Sequence, residues 1–257
     1  MTHGLGYLVD KPDDRDKDIS LLLGTSDEEP PDHWMENNHL VDGIEGQTGE
    51  ACVGFSSSKG VQTRWNIIAG EVGASMPSPG FVWFNSRKQH GAELRNSGTY
   101  IRLALREMNK IGICPEDKWP NSKLKLDYGV QPDARAYRAA FDQKTPIGYY
   151  RVAGLASHRI RAMKQALWKG HPFVFGTSVD RAFLEAKDHV VLDIPEGKLI
   201  GGHAMLATGY DEIGVYGPNS WTKNWGNSGW FGLTWDYMTW VQTRDIWAID
   251  APPRFSE

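Results

Sequence analysis

The sequence predicts an α+β protein of two lobes, a helical lobe from the first half of the chain set against a β-rich lobe from the second. Three observations predict it. Apolar residues recur at three- and four-residue steps after positions 52, 101 and 160, the period of one helix face. From residue 171 onward, short runs rich in β-branched and aromatic residues alternate with Gly, Asn and Asp turns. No internal repeat or low-complexity tract interrupts this order, and 257 residues suffice for one large domain or two modest lobes.

Taken in order, residues 1–40 are polar, acidic and rich in Pro and Asp ("KPDDRDKD", "SDEEPPDHW"), which predicts an extended arm rather than a domain. Residues 41–150 form the helical lobe. Its first helix runs over about 52–69, with Phe55, Ser58, Val61, Trp65 and Ile68 on one face. A short apolar element, "GFVWF", and a polar loop lead to a second helix with Ile101, Leu105 and Met108 on one face, stopped by Gly112 and Pro115. Residues 151–257 form the β lobe, entered through a third helix, "SHRIRAMKQALWKG", with Ile160, Met163 and Leu167 on one face. The runs "HPFVFGTSV", "HAMLATGYD", "IGVYGPNSW", "WFGLTWDYM" and "DIWAID" then predict a mostly antiparallel sheet. A cleft between two such lobes is a natural place for a site.

Composition excludes several functions. A net charge of −4, without any Lys/Arg run, gives no field for nucleic acid. No apolar run approaches the roughly 20 residues that cross a bilayer, and the N-terminus lacks a basic segment followed by an apolar one, so no membrane partner and a cytoplasmic location are expected. The eight histidines and two cysteines form no metal-ligand spacing, and there is no phosphate-binding glycine loop, so no metal and no cofactor are expected. Two cysteines are also too few for a disulfide framework.

The chemistry rests on three residues. Cys52, in "GQTGEACVGF", stands where the first helix begins, and the positive end of a helix dipole lowers a thiol's pKa. A lone cysteine is more often buried packing, so a partner is needed. His203 opens a predicted strand and Asn219 follows sixteen residues later, a spacing one hairpin can close. His203 would take the thiol proton while the Asn219 side chain accepts from the other ring N–H and fixes the tautomer. Cys114, followed by Glu116 and Asp117, is read as a buried structural thiol.

These residues resemble the papain-like (C1) cysteine peptidases, and within them the bacterial and phage-type members that lack the usual disulfides. The resemblance covers about residues 30–248. It is carried by "NSWTKNWGNSGWF", by "GGHAMLATGY" and by "SGTYIRLALREMNKIGICPEDKWP". It implies a papain-like two-lobe fold with a β-barrel-like second lobe, and hydrolysis of peptide bonds through a thioester intermediate. Cys52 would be the nucleophile, His203 the base and later the acid, and Asn219 the orienter. Gln47 would complete the oxyanion hole beside the Cys52 amide. Trp221 and Trp225 would shield the His–Asn bond from water. Ser97 and Gly98 resemble the segment that hydrogen-bonds the substrate main chain beside the subsite for the second residue before the cut, with Thr99 and Ala204 as neighbours. A peptide or protein substrate follows, with the oligomeric state open and a virion-associated location implied were the chain phage-encoded.

The chain departs from the family pattern around the nucleophile. Gln47 precedes Cys52 by five residues rather than six, Val53 replaces the usual Trp, and Glu50 stands where a glycine is usual. An acidic side chain there opposes thiolate formation unless it points to solvent. The alternatives are a papain-like fold kept as a binding module with an idle thiol, and a peptidoglycan stem-peptide hydrolase or isopeptidase. An arm of about 40 residues is also expected to be too short to act as the family's helical inhibitory prosegment.

Overall fold

The structure is a computed structural model describing residues 3–24, 28–125, 127–188 and 191–252. In the arm lie strand β1 (Tyr7–Leu8), a short helix α1 (Ser20–Leu23) and a 3-10 turn (Glu36–Leu40); residues 1, 2 and 25–27 lie outside the described residues. The helical half comprises α2 (Cys52–Ala69), α3 (Pro79–Lys88), β2 (Thr99–Tyr100), α4 (Ile101–Ile111) and α5 (Ala134–Asp142). The second half comprises β3 (Gly148–Arg151), α6 (Ala156–Trp168), β4 (Phe173–Val179), α7 (Arg181–Leu184), β5 (Val191–Leu192) and β6 (Gly201–Ala207). It continues through β7 (Gly209–Tyr210), β8 (Gly214–Pro218), β9 (Trp230–Thr234), α8 (Trp235–Thr239) and β10 (Arg244–Asp250).

The periodicity after position 52 does mark a helix, but α2 is buried on every side from Cys52 to Thr63 rather than along one stripe. It is the central helix of the molecule. Two glycines allow this close approach: a Cβ at Gly54 would lie 2.6 Å from the Pro79 carbonyl of α3, and one at Gly60 would lie 2.5 Å from Ile249 of β10. α4 keeps the predicted face, with Ile101, Leu105 and Met108 buried and Gly112 at its end. α3 and α5 are helices the sequence reading passed over. Each begins on a side-chain cap, Ser78 accepting from the Phe81 amide and Asp133 from the Ala136 amide.

The β half is two open four-stranded sheets among the described residues, ordered β3-β10-β4-β6 and β5-β9-β8-β7, rather than a closed barrel. Pairing is antiparallel except between β5 and β9, and between β1 and β2. The run "WFGLTWDYM" is only half strand: Thr234 caps α8 by accepting from the Tyr237 amide, and the chain turns helical. Alternation divides the core between two faces. Phe173, Phe175 and Met205 join the core between the sheets, whereas Val174, Leu206, Trp247 and Ile249 pack against α2 and α4. Among the described residues no helix is long and apolar enough to cross a membrane, and no group of His, Cys, Asp and Glu could hold a metal ion.

Candidate active site

Cys52 is the first residue of α2, which packs against β6, the strand carrying His203. The backbone of Ala204, next to His203, hydrogen-bonds the thiol. The other face of β6 turns His203 toward Asn219, just beyond β8, whose Oδ1 lies 2.8 Å from His203 Nε2. The same Oδ1 accepts the Ser220 backbone N–H at 2.8 Å, which fixes the amide's orientation. Nε2 therefore carries the ring proton, and Nδ1, which has no hydrogen-bond partner, presents its lone pair.

Trp221 stacks on His203 with ring centroids 4.3 Å apart, and Trp225 stands perpendicular to Trp221 at 5.3 Å. Trp221 is thus the side chain against the imidazole. Trp225 sits one layer out, its Nε1 donating to the Phe183 carbonyl at 3.0 Å. Residues 45–47 run alongside 220–222, with the Gln47 amide on the Ser220 carbonyl and the Ser220 hydroxyl on Gln47 Oε1 at 2.6 Å. That pairing turns Gln47 Nε2 into the cleft despite the shortened loop.

The cleft is occupied by the chain's own N-terminal segment. The Gly6 amide donates to Cys52 Sγ at 3.3 Å, the Gly4 carbonyl accepts from Gln47 Nε2 at 3.1 Å, and the Gly6 carbonyl accepts from the Thr99 amide at 2.9 Å. β1 pairs parallel with β2, and His3 stacks on the outer face of Trp221. The arm, expected to be too short for the family's helical prosegment, thus covers the site as an extended segment instead. No helical domain is needed, because a few extended residues at about 3.3 Å each span such a cleft. Beyond the cleft, Asp10 accepts from Trp247 Nε1 at 2.8 Å and from the Arg102 amide in the first turn of α4. Asp13 and Asp16 pair with Arg102, and Asp16 also with Arg151.

This cover sets the electrostatics. Cys52 and His203 are both 0 % exposed. Burial pushes the Cys52 thiol up to about 11, against backbone hydrogen bonds from Ala204, Gly6 and Val53, with Glu50 adding to the rise. Burial draws His203 down to about 4, against its bond to Asn219. Near neutral pH the covered site holds a thiol and a neutral imidazole. Glu50 does not point freely to solvent: its own pKa is raised by burial, and its carboxyl meets the Gly98 backbone.

Among the other predicted residues, Gly98 faces the segment so closely that a Cβ would lie 2.5 Å from the Gly6 carbonyl, and Ala204 packs in the same cluster as Tyr7 and Cys52. Ser97 is turned away, its carbonyl taking the Trp83 indole N–H. Cys114 is buried beside Phe81 and Trp119, its thiol pushed up to about 12 by burial and the acidic residues around it. The sequence reading missed Tyr7, Asp10, Ser220 and Asp245. The one available signal was "GLGY", a nearly uncharged stretch with two glycines in an otherwise acidic arm.

No family model matches the chain. An uncharacterized peptidase C1-like protein of Acanthamoeba polyphaga mimivirus is 31% identical over 185 residues, 68% of this chain and 58% of the relative, so the chain spans less than two thirds of that relative's length. The crystal structure of xylellain, a cysteine protease from Xylella fastidiosa, superposes with a TM-score of 0.80 at 27% identity over 96% of each chain. ProCathepsin B from Trypanosoma congolense superposes with a TM-score of 0.68 at 15% identity, over 98% of this chain and 87% of its own, a likeness of fold alone.

Proposed function

This chain belongs to the papain-like (C1) cysteine peptidase family, and from that premise we propose that it hydrolyses peptide bonds with Cys52 as nucleophile. The observation that carries the reading is the fixed tautomer of His203: Nε2–H is held by Asn219, and Nδ1 is left buried without a partner, on the strand whose Ala204 backbone bonds the Cys52 thiol. In the reaction, Nδ1 takes the thiol proton and Sγ attacks the scissile carbonyl carbon. Gln47 Nε2 and the Cys52 amide receive the developing oxyanion. His203 returns the proton to the leaving amine, and water then opens the thioester. The Gln47 contact to Gly4 is that of a side-chain donor meeting a main-chain carbonyl in the cleft.

In this reading residues 41–150 carry the nucleophile, residues 151–257 carry His203 and Asn219, and the substrate is a peptide or protein. The N-terminal segment has to leave the cleft first. Uncovering readmits water around Sγ and the imidazole, removes the desolvation that keeps both neutral, and allows the thiolate–imidazolium pair.

The test is time-resolved labelling with a thiol-directed epoxide, mapped by mass spectrometry, alongside turnover of fluorogenic peptide amides. Labelling confined to Cys52 and dependent on His203, with turnover lost in Cys52→Ala, is the expected result. Slow labelling indifferent to His203→Ala, without turnover, overturns the reading and leaves a binding module.

A further inference from the structure

Tyr7 fills a slot that the proposed chemistry does not require. It follows Gly6, the residue on Cys52, and its ring is buried against β4 and β6 where these strands carry glycines. A Cβ at Gly176 would lie 2.1 Å from the ring, and one at Gly202 would lie 3.0 Å from it. The slot thus admits a flat side chain only because two strand positions carry none. At its far end the Tyr7 hydroxyl donates to Asp245 Oδ2 at 2.5 Å.

Asp245 is placed there at a conformational cost. It lies in β10 at a break in register between Arg244 and Trp247, and its φ of 50° is left-handed, which a non-glycine residue adopts rarely and Asp and Asn most readily. Its side chain is 1% exposed. Oδ2 takes two donors from the N-terminal segment, the Tyr7 hydroxyl and the Asp10 amide at 2.7 Å, while Oδ1 takes Arg151 at 2.8 Å. When the segment leaves, Arg151 alone stays, and a buried carboxylate oxygen is stripped of both donors.

We propose that Asp245 makes this slot a tyrosine pocket, selecting substrates with tyrosine as the second residue before the cut. The proposal rests on the peptidase reading, and the position on the expectation that the Gly98 segment borders that subsite. A tyrosine restores one of the two lost hydrogen bonds, that of the Tyr7 hydroxyl, whereas phenylalanine fills the slot and leaves Oδ2 unpaired. A basic side chain fits less well. Asp245 already pairs with Arg151, and Arg159 lies within the field of both. Departure of the segment also removes Asp10, Asp13 and Asp16 from Arg102 and Arg151, so the emptied pocket already holds surplus positive charge.

The experiment uses the full chain carrying Tyr7→Ala, which empties the slot, and the same chain carrying Asp245→Asn as well, a residue that keeps the left-handed backbone. Two readouts are taken: kcat/KM for blocked fluorogenic dipeptide amides with Tyr, Phe or Arg second from the leaving group, and Cys52 labelling rates with epoxide probes bearing a tyrosyl or a phenylalanyl group. The expected preference for Tyr over Phe is about 10- to 100-fold in both readouts, the range of a hydrogen bond to a charged group, and it shrinks severalfold with Asp245→Asn. Equal rates for Tyr and Phe, a preference for Arg, or a ratio indifferent to Asp245→Asn overturns the proposal. Should no amide be cleaved, the peptidase reading fails, while the probe ratio still decides the pocket.

Discussion

The Gly6 amide donates to Cys52 Sγ across 3.3 Å, so the atom that would attack a substrate is occupied by the chain's own backbone. Around this contact the segment makes the hydrogen bonds of an extended peptide, with Gly4 on Gln47 and Gly6 on Thr99. Its side chains then anchor it: Tyr7 and the Asp10 amide on Asp245, and the Asp10 carboxylate on Trp247 and the start of α4. Cover and anchors are separable, and each yields a prediction.

Tyr7→Phe removes one hydroxyl from the anchor and leaves the ring in its slot. A hydrogen bond to a charged group is worth about 1.5–3 kcal/mol. Docking weakens by that amount, and epoxide labelling of Cys52 accelerates about 10- to 100-fold if uncovering limits it. An unchanged rate would show that the segment does not gate the thiol.

Gln47→Ala separates oxyanion stabilisation from thiolate formation. Loss of one oxyanion donor lowers kcat by about 100- to 1,000-fold. Labelling by an epoxide needs no such donor, and removing the Gly4 contact helps the segment leave, so the labelling rate holds or rises. A parallel fall in both measurements would place Gln47 in support of the loop instead.

Asn219→Ala frees His203 Nε2 and with it the choice of tautomer. Loss of a neutral hydrogen bond of about 1 kcal/mol, with the ring still stacked on Trp221, lowers kcat/KM about fivefold or more. Imidazole nitrogen shifts in an isotope-labelled protein check the cause, since the Nε2–H population falls with activity.

What the sequence showed and what it hid divides along contact range. The helices at 52 and 101 were legible because local periodicity states which residues face a core, and the His203–Asn219 pair because the chain runs out along β6 and returns along β8 within sixteen residues, although the two strands belong to different sheets. α2 was misjudged as one-faced because its burial arises from α3 and the sheet, and the glycines that admit them carry no periodic signal. The cover was illegible for the same reason. Tyr7 meets Asp245 across 238 residues, and only the register break in β10 turns that carboxylate toward it. Gln47 sits in the cleft despite its shorter spacing because residues 45–47 are held by 220–222, not by the loop's own length.

Acidity acts on the cover through groups of opposite sign, Asp10 on one side and the histidines on the other. Burial, then the neighbouring Asp245, raises docked Asp10 to about 7, above the roughly 3.9 of a free aspartate, so the docked state binds that proton more tightly. Asp10 therefore favours docking as pH falls from about 7 toward 4, and opposes it above 7. His203, drawn down to about 4 by burial while covered, and His3, lowered by its own burial in the docked segment, both bind a proton more readily once water returns, so they oppose docking as pH falls toward 4. The two contributions oppose each other, so docking of the parent chain depends less steeply on pH than either contribution alone. Asp10→Asn removes the first contribution and leaves the histidines, so its docking weakens as pH falls from about 7 toward 4. Hydrogen exchange at the Gly6 and Thr99 amides, corrected for the intrinsic pH dependence of exchange, reads this directly. Equal pH profiles for the parent and Asp10→Asn would show that Asp10 does not titrate with docking.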